Sequence, residues 1–195
     1  MKTYFDAVVE NPKAYEVAPG FIAVEFWKPE FCEFLIQASK DKQFSSNYGD
    51  PVPGAELRIT ELNPNLFESY MNHYKRWIFP ILSDYYCLPI EQWFVGWKTP
   101  FIIKYEMDGQ RYLRPHFDGS LVTSTIKLND EYTGGELIFP KSKYNAKNME
   151  IGSMLIWASS IDTVHYSSEL LSGKKYSFVG WTMNNFQDKG TVWKK

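Results

Sequence analysis

The chain has 195 residues, a net charge of −2 and an aromatic content of 17%, with 7 Trp, 13 Tyr and 14 Phe. That length suits one domain with a sizeable core, and the near-neutral charge removes any bulk electrostatic case for a nucleic-acid or membrane-surface partner. Two cysteines, Cys32 and Cys87, have neither metal-ligand spacing nor a disulfide framework. The first residues lack an apolar run and no stretch is long and apolar enough to span a bilayer, so the expectation is a soluble, cytoplasmic protein of a reducing compartment.

Residues 14–28 read as a short β segment around Pro19-Gly20. Pro29-Glu30 opens a helix to about residue 41, with Phe31, Phe34, Leu35 and Ala38 at helical spacing. Residues 42–56 are polar and rich in Gly and Pro, which predicts a loop. A strand is expected over Ala55 to Leu62. Asn63-Pro64-Asn65 caps a second helix, whose apolar stripe is Leu66, Tyr70, Tyr74, Trp77 and Ile81. Pro80 is expected to kink or shorten it. His73 lies beside that stripe and reads as structural.

From about residue 92 the period changes. Segments near 93–106, 121–128, 135–140, 151–157, 162–167 and 175–183 are short and rich in β-branched and aromatic residues, with turn signals between them. Helices followed by a run of strands define an α+β chain. The reading is a double-stranded β-helix, or jelly roll, with helical support over about 29–85 packed on one face of a β core over about 92–184.

The chain has three histidines, and two of them, His116 and His165, fall near the ends of predicted strands. His116-Phe117-Asp118 is an H-x-D pair, and on an extended strand positions i and i+2 share a face. A second histidine from a distant strand completes two imidazoles and one carboxylate, a facial donor set that suits Fe(II) and leaves three coordination positions open. Taken alone, an H-x-D pair also fits an ordinary histidine beside an Asp-Gly turn. The surrounding pattern separates the two readings.

Residues Phe101-Ile102-Ile103-Lys104-Tyr105-Glu106-Met107-Asp108 and Arg114-Pro115-His116-Phe117-Asp118-Gly119-Ser120 resemble the catalytic core of the prolyl and lysyl hydroxylase branch of the Fe(II)/2-oxoglutarate dioxygenases. The resemblance continues through Thr123 to Asp130, Gly134-Gly135-Glu136-Leu137-Ile138-Phe139-Pro140, His165, and Ser172-Gly173-Lys174-Lys175-Tyr176-Ser177-Phe178-Val179. It implies that His116, Asp118 and His165 bind the metal. It places Lys175, ten residues beyond His165, where the family carries the cation that pairs with the far carboxylate of 2-oxoglutarate. Lys174 is the alternative if the register differs by one. By matched position Tyr105 would donate its hydroxyl to the same carboxylate and Trp181 would line the pocket; Thr123 and Thr125 share a strand face, where they either touch the cosubstrate or simply pack.

The resemblance further implies oxidative decarboxylation of 2-oxoglutarate with O2 to succinate and CO2, and hydroxylation of an unactivated C–H bond, with ascorbate as a stimulant. An acidic ligand at 118 favours hydroxylation over halogenation. Prolyl or lysyl side chains in peptides or proteins are the expected substrates, and a free amino acid or small metabolite is the alternative. Lysine at 175 matches prolyl 4-hydroxylases, whereas lysyl hydroxylases carry arginine, so the site mixes both patterns. Two other classes were open: a silent jelly-roll binding module, against which the full residue set counts, and a three-histidine cupin, for which the β region has too few histidines. The 42–56 loop is the expected lid. A short chain of this kind fits a bacterial or viral source, and its oligomeric state is not legible.

Overall fold

A computed structural model describes residues 4–46 and 52–184. In chain order the elements are β1 (Ala14–Ala18), β2 (Phe21–Glu25), α1 (Pro29–Ser39), β3 (Glu56–Arg58), α2 (Ile59–Leu62), α3 (Pro64–Tyr85), α4 (Ile90–Trp93), β4 (Phe94–Glu106), β5 (Leu113–His116), β6 (Val122–Lys127), β7 (Tyr132–Gly134), β8 (Leu137–Phe139), β9 (Tyr144–Asn145), β10 (Ser153–Ala158), β11 (His165–Ser167) and β12 (Leu170–Asn184). Helices α1 to α4 precede the run of strands β4 to β12, as expected. Among the described residues no helix is long and apolar enough to cross a membrane.

The strands form two antiparallel sheets. The larger runs β1-β2-β10-β6-β12-β4-β3, with β7 paired to β12; the smaller runs β5-β11-β8-β9. Strand alternation gives the larger sheet two different faces. Ile22, Val24, Ile102, Ile126, Ile156 and Phe178 point to the helices and pack with Phe26, Tyr70 and Tyr74 in one core. The opposite face carries Ile103, Tyr105, Thr123, Thr125, Lys175 and Trp181, which line a cavity between the sheets. This is the jelly-roll arrangement read from the sequence, with helices on one outer face.

Three local expectations are corrected. Residues 55–62 form a strand only over Glu56–Arg58; the chain then turns into α2, because Ile59 is buried against the core rather than paired across a ladder. Helix α3 runs through Pro80 to Tyr85, so Pro80 does not shorten it. Pro80 sits on the exposed side, where water can take the carbonyl it frees, while Ile78, Phe79 and Leu82 anchor both halves in the core. The buried stripe of α3 accordingly follows Leu66, Tyr70, Tyr74, Ile78 and Leu82, leaving Trp77 and Ile81 half-buried. Third, the 162–167 strand is confined to β11, because Ile161–Thr163 is a single 3-10 turn closed by a Ser160–Thr163 capping box. In α1, Phe31, Cys32 and Leu35 are buried, but Phe34 faces solvent.

His73 behaves as a core residue. Its ring packs on Phe26 at 4.8 Å and Tyr4 at 6.3 Å, and burial depresses its pKa to about 4. Several glycines are required by close approach, Gly134 and Gly180 among them. Gly134 has φ +73°, and a Cβ there would lie 2.2 Å from the Glu169 carbonyl oxygen. At Gly180 a Cβ would meet the Tyr70 hydroxyl at 2.4 Å.

Candidate metal and cosubstrate site

His116 ends β5 and His165 begins β11, and the two face each other as direct partners in that ladder. Their ring centroids are 4.4 Å apart. Nδ1 of His116 donates to the Arg114 carbonyl at 2.8 Å, and Nδ1 of His165 donates to the Thr163 carbonyl at 3.0 Å. A carbonyl only accepts, so each Nδ1 carries a proton, and in the neutral ring each Nε2 is the nitrogen with the free lone pair. Burial lowers the pKa of His165, which keeps its ring neutral. Both Nε2 atoms point to Asp118: His116 Nε2 is 3.6 Å from Oδ1 and His165 Nε2 is 3.7 Å from Oδ2. One donor atom from each of the three residues falls within 4.8 Å of the others.

The route by which Asp118 arrives differs from the expectation. Strand β5 stops at His116, so residues 116 and 118 do not share a strand face. Asp118 lies in the following loop, buried, while Phe117 between them is 54% exposed. The Thr123 hydroxyl donates to Asp118 Oδ2 at 2.7 Å and fixes the carboxylate. Thr123 thus contacts a triad residue, a role that the sequence reading did not distinguish from packing.

The three residues line a cavity of about 580 Å³. Farther along it lies Lys175, whose ammonium donates to the Gly135 carbonyl at 2.7 Å, approaches Ser167 Oγ at 3.5 Å and lies 4.7 Å from the Tyr105 ring centre. Burial pushes its pKa down to about 8. Register settles which lysine faces inward. Lys175 pairs with Tyr105 and shares its face with Ser177, Val179 and Trp181, whereas Lys174 points out to an ion pair with Glu106 at 3.0 Å. The Tyr105 hydroxyl is 3.1 Å from Ser167 Oγ, and burial raises its pKa, so it stays protonated. Ser167 was not singled out in the sequence; a serine two positions beyond a histidine carries no signal until the strand pairing is known.

Thr125 also lines the cavity, but its hydroxyl donates to the Phe178 carbonyl at 3.0 Å, so its methyl is the group left for the cavity. Trp181 lines the cavity against Phe101, with the Lys98 ammonium 4.0 Å over its ring and its indole N–H buried without a hydrogen-bond partner. Glu136 bonds to the Ser168 hydroxyl at the start of β8, as a strand-end charge would. Arg111 is tied to Glu169 and the Leu170 carbonyl, and Arg114 is exposed. Of the 42–56 segment, residues 47–51 lie outside the described residues; Val52, Gly54 and Glu56 line the cavity.

No family model matches the chain. Two sequence relatives are a procollagen lysyl hydroxylase and glycosyltransferase of Acanthamoeba polyphaga mimivirus, 26% identical over 179 residues, and a multifunctional procollagen lysine hydroxylase and glycosyltransferase of Caenorhabditis elegans, 23% identical over 188 residues. Each alignment covers 85% of this chain, but 20% and 24% of the respective relative, so the chain spans about a quarter or less of the relatives it matches. Among solved structures, a collagen prolyl hydroxylase of Paramecium Bursaria Chlorella virus-1, in its 2OG complex, superimposes with TM-score 0.59 at 17% identity, covering 86% of this chain and 99% of that one. A prolyl-4-hydroxylase of Pseudomonas putida gives TM-score 0.59 at 12% identity, covering 85% and 92%. The fold is therefore that of the prolyl 4-hydroxylases. The sequence relatives are procollagen lysyl hydroxylases, so the likeness to the prolyl and lysyl hydroxylase branch read from the residues holds on both counts.

Proposed function

We propose that this chain is an Fe(II)- and 2-oxoglutarate-dependent dioxygenase that hydroxylates a prolyl or lysyl side chain of a peptide or protein, releasing succinate and CO2. The observation that carries it is one cavity holding two histidine Nε2 atoms and a carboxylate at one site, and a buried ammonium farther along. Soft thiolates are absent from the triad, and mixed imidazole and carboxylate donors on one side suit Fe(II) with positions left open. His116, Asp118 and His165 would hold the ion. Bound there, it would supply the O2 activation that C–H oxidation requires.

The remaining residues account for the cosubstrate. A dianion entering a buried site needs a cation at its far end, and Lys175 supplies one with no carboxylate of the described residues within hydrogen-bond reach. Ser167 sits two residues along β11 from His165, roughly 7 Å at strand rise, which matches a five-carbon diacid reaching from the metal to Lys175. The Tyr105 and Ser167 hydroxyls offer the distal carboxylate two further donors. Thr125 and Trp181 wall the cosubstrate, and Phe101, Ile103 and Trp157 exclude water around it. The described residues act as one dioxygenase unit. Substrate would enter past Phe117, an exposed residue of the cavity lining.

A prolyl hydroxylase of Trichoplax adhaerens, solved with a hypoxia-inducible-factor peptide, has the same fold at TM-score 0.57 and 14% identity, covering 85% of this chain and 84% of that one, and supports a peptide substrate over a free metabolite. Incubation with Fe(II), ascorbate, O2 and 2-oxoglutarate should yield succinate, and Pro- or Lys-containing peptides should gain one oxygen by mass. His116→Ala, Asp118→Ala and His165→Ala should each abolish succinate formation. Full turnover in any of the three would refute the assignment.

A further inference from the structure

Asp118 is the one triad member that no strand ladder fixes, since β5 ends two residues before it. Its carboxylate is placed instead by side chains. Thr123, the second residue of β6, donates to Oδ2. A carboxylate offers only acceptors, so Thr123 commits its single proton there and can meet its other neighbours only as an acceptor. Those neighbours are two hydroxyls behind it: Ser120 Oγ at 2.7 Å and Ser159 Oγ at 3.0 Å, themselves 2.5 Å apart. Thr123 and Asp118 form part of the cavity wall; the serines lie outside it.

Ser159 leaves β10 beside the start of β6, with its backbone N–H on the Leu121 carbonyl at 3.2 Å. The next residues are the Ser160–Thr163 turn. Thr163 closes that turn by donating to the Ala158 and Ser160 carbonyls, and its own carbonyl takes Nδ1–H of His165. One short stretch, 159–163, therefore reaches two of the three donors: His165 through a backbone carbonyl, and Asp118 through Ser159 and Thr123.

We propose that Thr123, backed by Ser120 and Ser159, is the positioning unit that makes Asp118 a one-oxygen ligand. This rests on the metal-binding reading above. Thr123 takes one lone pair of Oδ2, whereas Oδ1 accepts no hydrogen bond among the described residues, so Oδ1 is the freer oxygen for an ion. That matters because a carboxylate that swung both oxygens onto the metal would consume one of the three open positions that a chelating keto acid and O2 require. The unit acts on the metal through Asp118, and removing a hydrogen bond that orients a ligand weakens metal binding by roughly 10- to 100-fold.

The test is an anaerobic titration of the protein with Co(II), followed by its d–d absorption, alongside the thermal unfolding midpoint of the metal-free protein. Thr123→Val keeps shape and removes the hydroxyl; Thr123→Ser keeps the hydroxyl. The proposal expects Co(II) affinity to fall roughly 10- to 100-fold in Thr123→Val and to recover in Thr123→Ser, with metal-free midpoints close to the parent. Equal affinity in Thr123→Val and the parent overturns the positioning role while leaving the metal reading intact. A parent that binds no Co(II) overturns both. Should Thr123→Val not fold, Ser159→Ala decides: weakening of about threefold or more supports the unit, and unchanged affinity overturns it.

Discussion

Replacing Lys175 by Met should change two properties in opposite directions. Met fills nearly the same volume without charge, so it separates the ammonium from the packing. On the cosubstrate side, it leaves the far carboxylate of bound 2-oxoglutarate buried without its cation. Breaking a buried charge pair costs about 3–5 kcal/mol, which raises the dissociation constant roughly 10²- to 10³-fold. On the stability side, the ammonium itself is a burden in the empty cavity. Its pKa falls from 10.5 to about 8, and that depression corresponds to roughly 3 kcal/mol at pH 7. The lost hydrogen bond to the Gly135 carbonyl offsets about 1 kcal/mol of the gain. The variant should therefore unfold about 5 °C higher at pH 7.

The pH dependence has a definite sign. Below pH 8 the lysine is charged in both states and its burial penalty is complete. Between about pH 8 and 10.5 the unfolded chain binds the extra proton, so the parent gains stability as pH rises through this window, and Lys175→Met does not. Calorimetric titration with 2-oxoglutarate under nitrogen, using the Co(II)-loaded protein, measures the first effect. Thermal scans from pH 7 to 10.5 measure the second. A variant that binds 2-oxoglutarate within about threefold of the parent would refute the anchor assignment. Lys174→Met is the control: its ion pair with Glu106 is exposed on the lysine side, and its loss should leave 2-oxoglutarate affinity unchanged.

Tyr105→Phe removes one hydroxyl donor and should raise KM for 2-oxoglutarate about tenfold, the value of one buried hydrogen bond, with kcat nearly constant; a fall in kcat alone would refute the role. Gly180→Ala should cost about 1–3 kcal/mol in urea unfolding, because the added methyl meets the Tyr70 hydroxyl, and Tyr70→Phe should relieve part of the cost. His73, with its pKa held near 4, is neutral in the fold and takes a proton on unfolding; its contribution is intact above pH 6.5 and is lost as pH falls toward 4. Acid titration of stability should therefore be shallower in His73→Phe by roughly 2 kcal/mol, and an unchanged slope would exclude it as the cause.

Much of the site was legible because strand alternation and motif spacing carry it. A period of two sets Tyr105, Lys175 and Trp181 on one face once β4 and β12 are recognised, and it decides between Lys174 and Lys175. The helix and strand order likewise defined the α+β jelly roll. What local pattern could not provide was pairing. That His116 faces His165 across a ladder, and that Ser167 comes to lie beside Lys175, are long-range facts. The Asp118 geometry was anticipated for the wrong reason: strand alternation was expected to deliver it, but side-chain hydrogen bonds do. Pro80 does not end α3, because a proline that breaks an isolated helix is tolerated when packing secures both sides of it.

The smaller sheet ends on β5, a four-residue edge strand whose single neighbour is β11, with an irregularity between them. Strands of that kind fray first. Because His116 closes β5 and His165 opens β11, an ion gripped by both would fasten the edge of the sheet as a clasp fastens a collar. Metal loading would then be a local folding event as well as a chemical one. Amides of residues 113–116 should exchange with solvent in the empty protein and grow slow as Co(II) fills the site, while those of the β4–β12 ladder stay slow throughout. In such an architecture the catalyst is assembled by the same step that seals its frame.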